Sequence, residues 1–207
     1  PFIGTAKSSS FTKWGSEGGT YPGAVAPSGY VQLSPETSMT ATKGYDYADN
    51  SIYNFSCLHH NSGFPGGSAG RLLIMPVDGD ANFKTAVYCR PFLHVNEKAG
   101  AGFYQVLFSD SNTQVEATAT ERTGVFRLSF PAGIVPKIMI RDAGEISFPT
   151  GKIIHGSSLN AVTNCSVAYT RKEPVAGGTV VSFNPSDTGA TIIILKISAS
   201  PVGTASA

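Results

Sequence analysis

Two of the chain's four histidines, His59 and His60, sit side by side in "IYNFSCLHHNSGFPGG", residues 52–67. Imidazoles can ligate a metal, move a proton or hydrogen-bond a polyhydroxylated ligand. They follow a strand-like run and lead into a glycine-rich loop, so both can reach one ligand only where the strand has ended, because strand neighbours face opposite sides. A metal site would need a third ligand, and neither HxH nor HxxxH spacing occurs. The second candidate is "LHVNEKAGAGFYQV", residues 93–106. His94 and Glu97 are three apart there, with Asn96 between them, and could pair or hydrogen-bond sugar hydroxyls. By composition alone the stretch reads as a solvated hairpin connection.

Hydrolytic acid–base work would need two carboxylates facing across a cleft. The acidic residues are scattered, from Glu36 and Asp46 to Asp142 and Glu145, without a distinctive spaced pair. Serine nucleophile elbows, phosphate-binding loops and dinucleotide fingerprints are missing. The lone tryptophan, Trp14, lies in the glycine-rich opening stretch. Its ring could stack on a sugar face or lie over the core.

The elements that must position these groups read as strands. "TQVEATATER" alternates, with Val115, Ala117 and Ala119 on one face and Glu116, Thr118 and Thr120 on the other, the period of a half-buried strand. "GVFRLSF" sets Phe126, Leu128 and Phe130 on one side. Further strands are expected at Tyr30–Leu33, Ser51–Ser56, Arg71–Pro76 and Gly102–Phe108, and in "KIMIRD", "KIIHGS", "CSVAYT", "TVVSFN" and "TIIILKIS". The last, nearly all apolar, reads as a central strand buried on both faces. The first 50 residues are loop by their Gly-Gly, Pro-Gly and Pro-Ser punctuation, and no helix of three turns is expected. About a dozen short strands between turn signals read as an antiparallel β-sandwich.

Composition agrees. Gly 23 and Pro 13 in 207 residues mark a turn-dense chain, and that length suits one domain. The net charge of +1, without a block of either sign, speaks against nucleic acid and anionic membrane surfaces. No run of 18 apolar residues suggests a membrane-spanning helix. Cys57, Cys89 and Cys165 are far apart and odd in number, which favours buried thiols over a disulfide framework.

In order along the chain stand "PFIGT" at Pro1, "GGTYPGAVAPSGYVQLSPET" at Gly18, "GYDYADNSIYNFS" at Gly44, "LLIMP" at Leu72, "HVNEKAGAGFY" at His94 and "ATATERTGVFRLSFP" at Ala117. Taken together, these six blocks resemble the N-terminal domain of glycoside hydrolase family 92, calcium-dependent inverting exo-α-mannosidases best known from gut bacteria. The resemblance implies an all-β supersandwich, similar to galactose mutarotase-like domains, over residues 1–207. The acid and base carboxylates and most calcium ligands are expected on a C-terminal (α/α)₆ barrel outside this stretch. It implies no cofactor in this segment, calcium for the complete enzyme, mannose-containing N-glycans as ligands, and a secreted or periplasmic location.

Where the family reads Phe-Ser-His-Thr-His-Leu-Ser-Gly, this chain has Phe55-Ser56-Cys57-Leu58-His59-His60-Asn61-Ser62-Gly63. His59 falls on the second histidine, Cys57 replaces the first and His60 the leucine. Thr40-Ala41-Thr42 stands where members often carry a Trp-Asp-Gly-like run. Phe2, His59, Asn61 and Glu97 are the implied sugar contacts; no catalytic or metal-ligating residue is expected. The domain alone should hydrolyse little, and a barrel-docking face should show as an apolar patch. Two alternatives are a free-standing carbohydrate-binding module and a mutarotase-like enzyme using His94 and Glu97.

Overall fold

The computed structural model describes residues 2–6, 20–37, 44–58, 71–78, 88–141, 143–157, 161–200 and 202. Among them the chain forms β-strands and no helix, arranged as two antiparallel sheets. No helix among the described residues is long and apolar enough to cross a membrane.

One sheet has six strands: β1 (Ser34–Glu36), β3 (Asn54–Leu58), β4 (Arg71–Asp78), β9 (Pro136–Arg141), β14 (Gly178–Phe183) and β13 (Tyr169–Val175), in that spatial order. The other has nine: β10 (Ile146–Thr150), β11 (Ile153–Gly156), β12 (Ala161–Cys165), β15 (Thr191–Ser198), β8 (Thr123–Phe130), β7 (Gln114–Ala119), β6 (Phe103–Phe108), β5 (Arg90–Gly100) and β2 (Ser51–Ile52). Strands β5 to β8 form a meander of hairpins, the arrangement that short polar turns between alternating runs dictate.

The alternation read from the sequence is realised. Val115 and Ala117 are buried while Glu116 and Thr118 face outward, and Phe126, Leu128 and Phe130 are fully buried. Phe55 on β3 joins the two layers. Its ring lies 6.3 Å from Tyr104, 6.4 Å from Phe108 and 5.8 Å from Phe126, all on the nine-stranded sheet. At one end of the sandwich Phe148 meets Tyr169 edge-on at 5.5 Å, with the Lys172 ammonium 4.5 Å over the Phe148 ring. Across the layers, Arg90 on β5 pairs with Asp78 on β4 and lies 3.4 Å from Asp110.

Several expectations are corrected. β15 is central in its sheet, but only one of its faces is buried. Ile193, Leu195 and Ile197 point inward while Ile192 is 42% exposed. Isoleucine's β-branched fit to a pleated surface, not two-sided burial, accounts for the apolar run. "CSVAYT" is no single strand: β12 ends at Cys165 in one sheet and β13 begins at Tyr169 in the other. Tyr30–Leu33 makes only isolated bridges, Val25 with Gln32 and Gln32 with Leu58. Residues 93–97 are no hairpin connection; they lie inside the eleven-residue β5.

Candidate functional site

Glu97 is the organising residue. Its side chain is fully buried, and its carboxylate accepts bonds from the Tyr104 hydroxyl at 2.7 Å and from the Tyr45 hydroxyl, shared between both oxygens, at 2.9 and 3.0 Å. His94 Nδ1 lies 2.8 Å from Oε2. A buried carboxylate is tolerable only when its lone pairs meet donors in this way.

An irregularity in β5 makes the arrangement possible. Phe92 pairs with Phe108 and Glu97 with Val106, so five steps along β5 face two along β6. In a regular strand residues an odd number apart face opposite sides. The extra residues shift the phase, so Phe92 and Glu97 both point inward. The same shift lets His94 and Glu97 meet although they are three apart.

The Tyr45–Asp49 loop closes over this group through local hydrogen bonds. Thr37 Oγ1 accepts from the Asp46 amide at 2.7 Å and donates to Asp49 Oδ2 at 2.8 Å. The Thr37 amide donates to the Gly44 carbonyl at 2.7 Å, and the Ala48 amide to Asp46 Oδ1 at 3.0 Å. The Tyr47 amide donates at 3.2 Å to the Thr5 carbonyl, fixing the Phe2–Thr5 turn to the loop. The aromatic rings then form a wall. Phe2 stacks on Tyr45 at 6.4 Å and lies tilted to Tyr47 at 5.4 Å. Tyr47 stacks on His94 at 4.1 Å and 18°, and Phe92 is edge-on to the same imidazole at 5.1 Å. Tyr45 is wholly buried, whereas Tyr47 is 39% exposed.

Burial raises the Tyr45 and Tyr104 phenols well above the ordinary tyrosine value, and the neighbouring Glu97 charge adds to the effect. Both therefore stay protonated as donors, matching the geometry. Beyond the Phe2–Thr5 turn, which Thr20 Oγ1 tethers by donating to the Ile3 carbonyl at 2.7 Å, an open cleft of about 900 Å³ lies between two hairpin tips. Its polar lining includes Tyr21 and Gln32, joined by a hydrogen bond of 3.1 Å. Burial pushes the Tyr21 phenol up to about 12.

The family model of the glycosyl hydrolase family 92 N-terminal domain matches residues 1–190. The chain belongs to that family. No curated protein matches it. Among solved structures it is similar to a family GH92 alpha-mannosidase of Bacteroides thetaiotaomicron, at 20% identity and a TM-score of 0.77 over 99% of this chain and 33% of that one. It is likewise similar to the family GH92 inverting mannosidase of the same organism (21% identity, TM-score 0.78, 99% and 31%) and to the gh92 family glycosyl hydrolase ccman5 (23%, 0.75, 99% and 32%). These likenesses support the fold, and the chain spans about a third of the length of the proteins concerned.

Within this family 92 domain, Phe2 and Glu97 are brought into one cluster, linked through Tyr45. His59 and Asn61, with His60 and Trp14, lie outside the described residues. Gln32 bridges Leu58, the last described residue before His59, and also lines the cleft. Sequence reasoning missed Tyr45, Tyr47 and Tyr104. Their signal was the Tyr-x-Tyr of "GYDYADN" and the inward phase of β6, but nothing local says that phenols 59 residues apart converge on one carboxylate.

Proposed function

We propose that this domain forms one wall of the sugar pocket of an α-mannosidase-like glycoside hydrolase acting on α-mannosides of glycans. It would also be the scaffold on which a C-terminal (α/α)₆ catalytic domain rests. The carrying observation is family 92 membership over residues 1–190. The geometry supports it in two ways. Tyr47, 39% exposed, presents its ring in the Phe2–Tyr47–His94 wall, partly packed and partly open, as an aromatic that meets a ligand or a neighbouring domain does. In addition, the buried carboxylate of the cluster is fully engaged by donors, so it holds a surface in place and is not free to act as an acid or base.

In this reading Phe2 contributes apolar wall and Glu97 fixes the side chains that face the sugar, while His59 and Asn61 are further candidate contacts. The family implies calcium. Among the described residues no three His, Cys, Asp or Glu side chains converge to hold a metal, and in this reading calcium belongs to the complete enzyme. A secreted or periplasmic location belongs to the same reading.

The test is to assay the 207-residue chain for α-mannoside hydrolysis and, separately, for saturable binding of methyl α-mannoside. Binding without turnover is expected. Turnover at enzyme-like rates would place the catalytic carboxylates within this chain and sink the proposal.

A further inference from the structure

The Glu97 cluster has one asymmetric member. Tyr45 and Tyr104 are buried and spend their hydroxyls on the carboxylate, whereas His94 retains 29% of its side-chain exposure. Its Nδ1 faces Oε2 at 2.8 Å, and two lone pairs cannot face each other at that distance, so a proton lies between them. With two phenols already donating to the carboxylate, the geometry places that proton on Nδ1, the third donor to a group that otherwise only accepts. The ring is also packed against two aromatics, stacked on Tyr47 at 4.1 Å and in a T-shaped contact with Phe92 at 5.1 Å. The other nitrogen, Nε2, lies on the opposite edge of the ring from the buried carboxylate. In the neutral imidazole it carries a lone pair.

We propose that Glu97, Tyr45 and Tyr104 are positioning residues that lock His94 as the Nδ1–H tautomer, making Nε2 a fixed hydrogen-bond acceptor for a hydroxyl of a saccharide seated against Tyr47. This rests on the sugar-pocket reading above and adds the residue that reads the sugar. The design follows a general rule: a buried carboxylate on one imidazole nitrogen determines what the other nitrogen can do. An acceptor locked in place loses little freedom when ligand binds, which favours selection of one hydroxyl orientation.

The first measurement is long-range ¹H–¹⁵N NMR of the labelled 207-residue chain. The expected pattern is a protonated Nδ1 and an unprotonated Nε2 on His94 at neutral pH. The reverse pattern, a proton on Nε2 and a neutral Glu97 donating to Nδ1, overturns the proposal. Tyr45→Phe removes one donor while keeping the ring, and should give a mixture of tautomers with the remaining amide spectrum unchanged. An unaltered tautomer in Tyr45→Phe and in Glu97→Gln would overturn the positioning role.

The second measurement is titration with methyl α-mannoside. His94→Phe keeps a ring against Tyr47 but has no Nε2, and should bind about tenfold more weakly, the worth of one well-placed hydrogen bond. If wild type and His94→Phe bind equally, the proposal fails and the sugar-pocket reading stands. If the wild type shows no saccharide-dependent shift at any concentration, the pocket reading fails and takes this proposal with it. Should His94→Phe not fold, the tautomer measurements on wild type and Tyr45→Phe still decide the positioning role.

Discussion

The Tyr45 phenol and the Glu97 carboxylate, 52 residues apart in sequence, meet at 2.9–3.0 Å with neither exposed to solvent. This bond fastens the loop above the sandwich to the irregular edge of β5. Tyr45→Phe leaves the ring stacked beneath Phe2 and removes only the donor. A hydrogen bond to a charged, buried group is worth about 1.5–3 kcal/mol, and urea denaturation should show a loss of that size. A loss below about 0.5 kcal/mol, the ordinary effect of a surface substitution, would mean that water replaces the phenol.

Phe55 is the single side chain in contact with three aromatic rings of the opposite sheet among the described residues. Phe55→Ala should therefore cost about 3–5 kcal/mol, the transfer term plus an unfilled cavity. Phe55→Leu should cost clearly less. Equal losses for the two would show that the rings around Phe55 collapse into the space.

The meander and the inward faces of β7 and β8 were legible in the sequence because their hydrophobic period is undisturbed: Val115, Ala117, Phe126 and Leu128 fall where alternation puts them. The site was legible in part. His94 and Glu97 stood out by residue type, yet their meeting depends on extra residues in β5 that reverse the phase between Phe92 and Glu97. No local propensity encodes that reversal; the partner strand β6 defines it. "TIIILKIS" misled for the opposite reason, since Ile192 follows β-propensity on a face that is open to solvent. Tyr45 and Tyr104 could not be assigned because a phenol's partner is a tertiary fact.

Alkali should weaken the fold through its tyrosines. Burial pushes the Tyr21 phenol up to about 12 and the Tyr88 phenol up to about 12, and raises Tyr45 and Tyr104 as well. A pKa raised in the folded state means that folding favours the protonated phenol. Its contribution is intact below the ordinary value of 10.0 and is lost as pH climbs through about 12. Denaturation midpoints should therefore fall above pH 10, together with a late phenolate absorbance. Complete ionisation of all eight tyrosines near their ordinary value, with the chain still folded, would contradict the burial of Tyr45 and Tyr104 and the partial burial of Tyr21 and Tyr88.

The three cysteines should separate cleanly by reactivity. Cys57 and Cys165 are buried and Cys89 is exposed, which corrects the expectation of three buried thiols. Burial raises the Cys57 thiol and pushes that of Cys165 up to about 11, so little thiolate forms at either position. A thiol reagent at neutral pH should modify Cys89 alone, and all three only in denaturant. Mass spectrometry of the native protein decides the matter, and early labelling of Cys57 would show that β3 opens.

Two glycines test how closely the Ala24–Leu33 hairpin, which walls the cleft, is held to its surroundings. A Cβ on Gly124 of β8 would come within 2.6 Å of Leu33 Cδ2 and 3.0 Å of Val31 Cγ1, both side-chain atoms that can turn aside. Gly124→Ala should cost about 1–3 kcal/mol, the usual penalty for overpacking. A Cβ on Gly23 would fall 1.6 Å from the Leu33 carbonyl oxygen and 2.9 Å from Ser34 Cα, and backbone cannot turn aside. Gly23→Ala must instead push the strand away, breaking the bond by which the Leu33 amide donates to the Ala24 carbonyl at 3.0 Å and displacing Gln32 from Tyr21. The expected order of destabilisation is Gly23→Ala above Gly124→Ala in thermal denaturation. Equal effects, or a benign Gly23→Ala, would show that the hairpin is free to slide and that the Tyr21–Gln32 cleft is not held in a fixed shape.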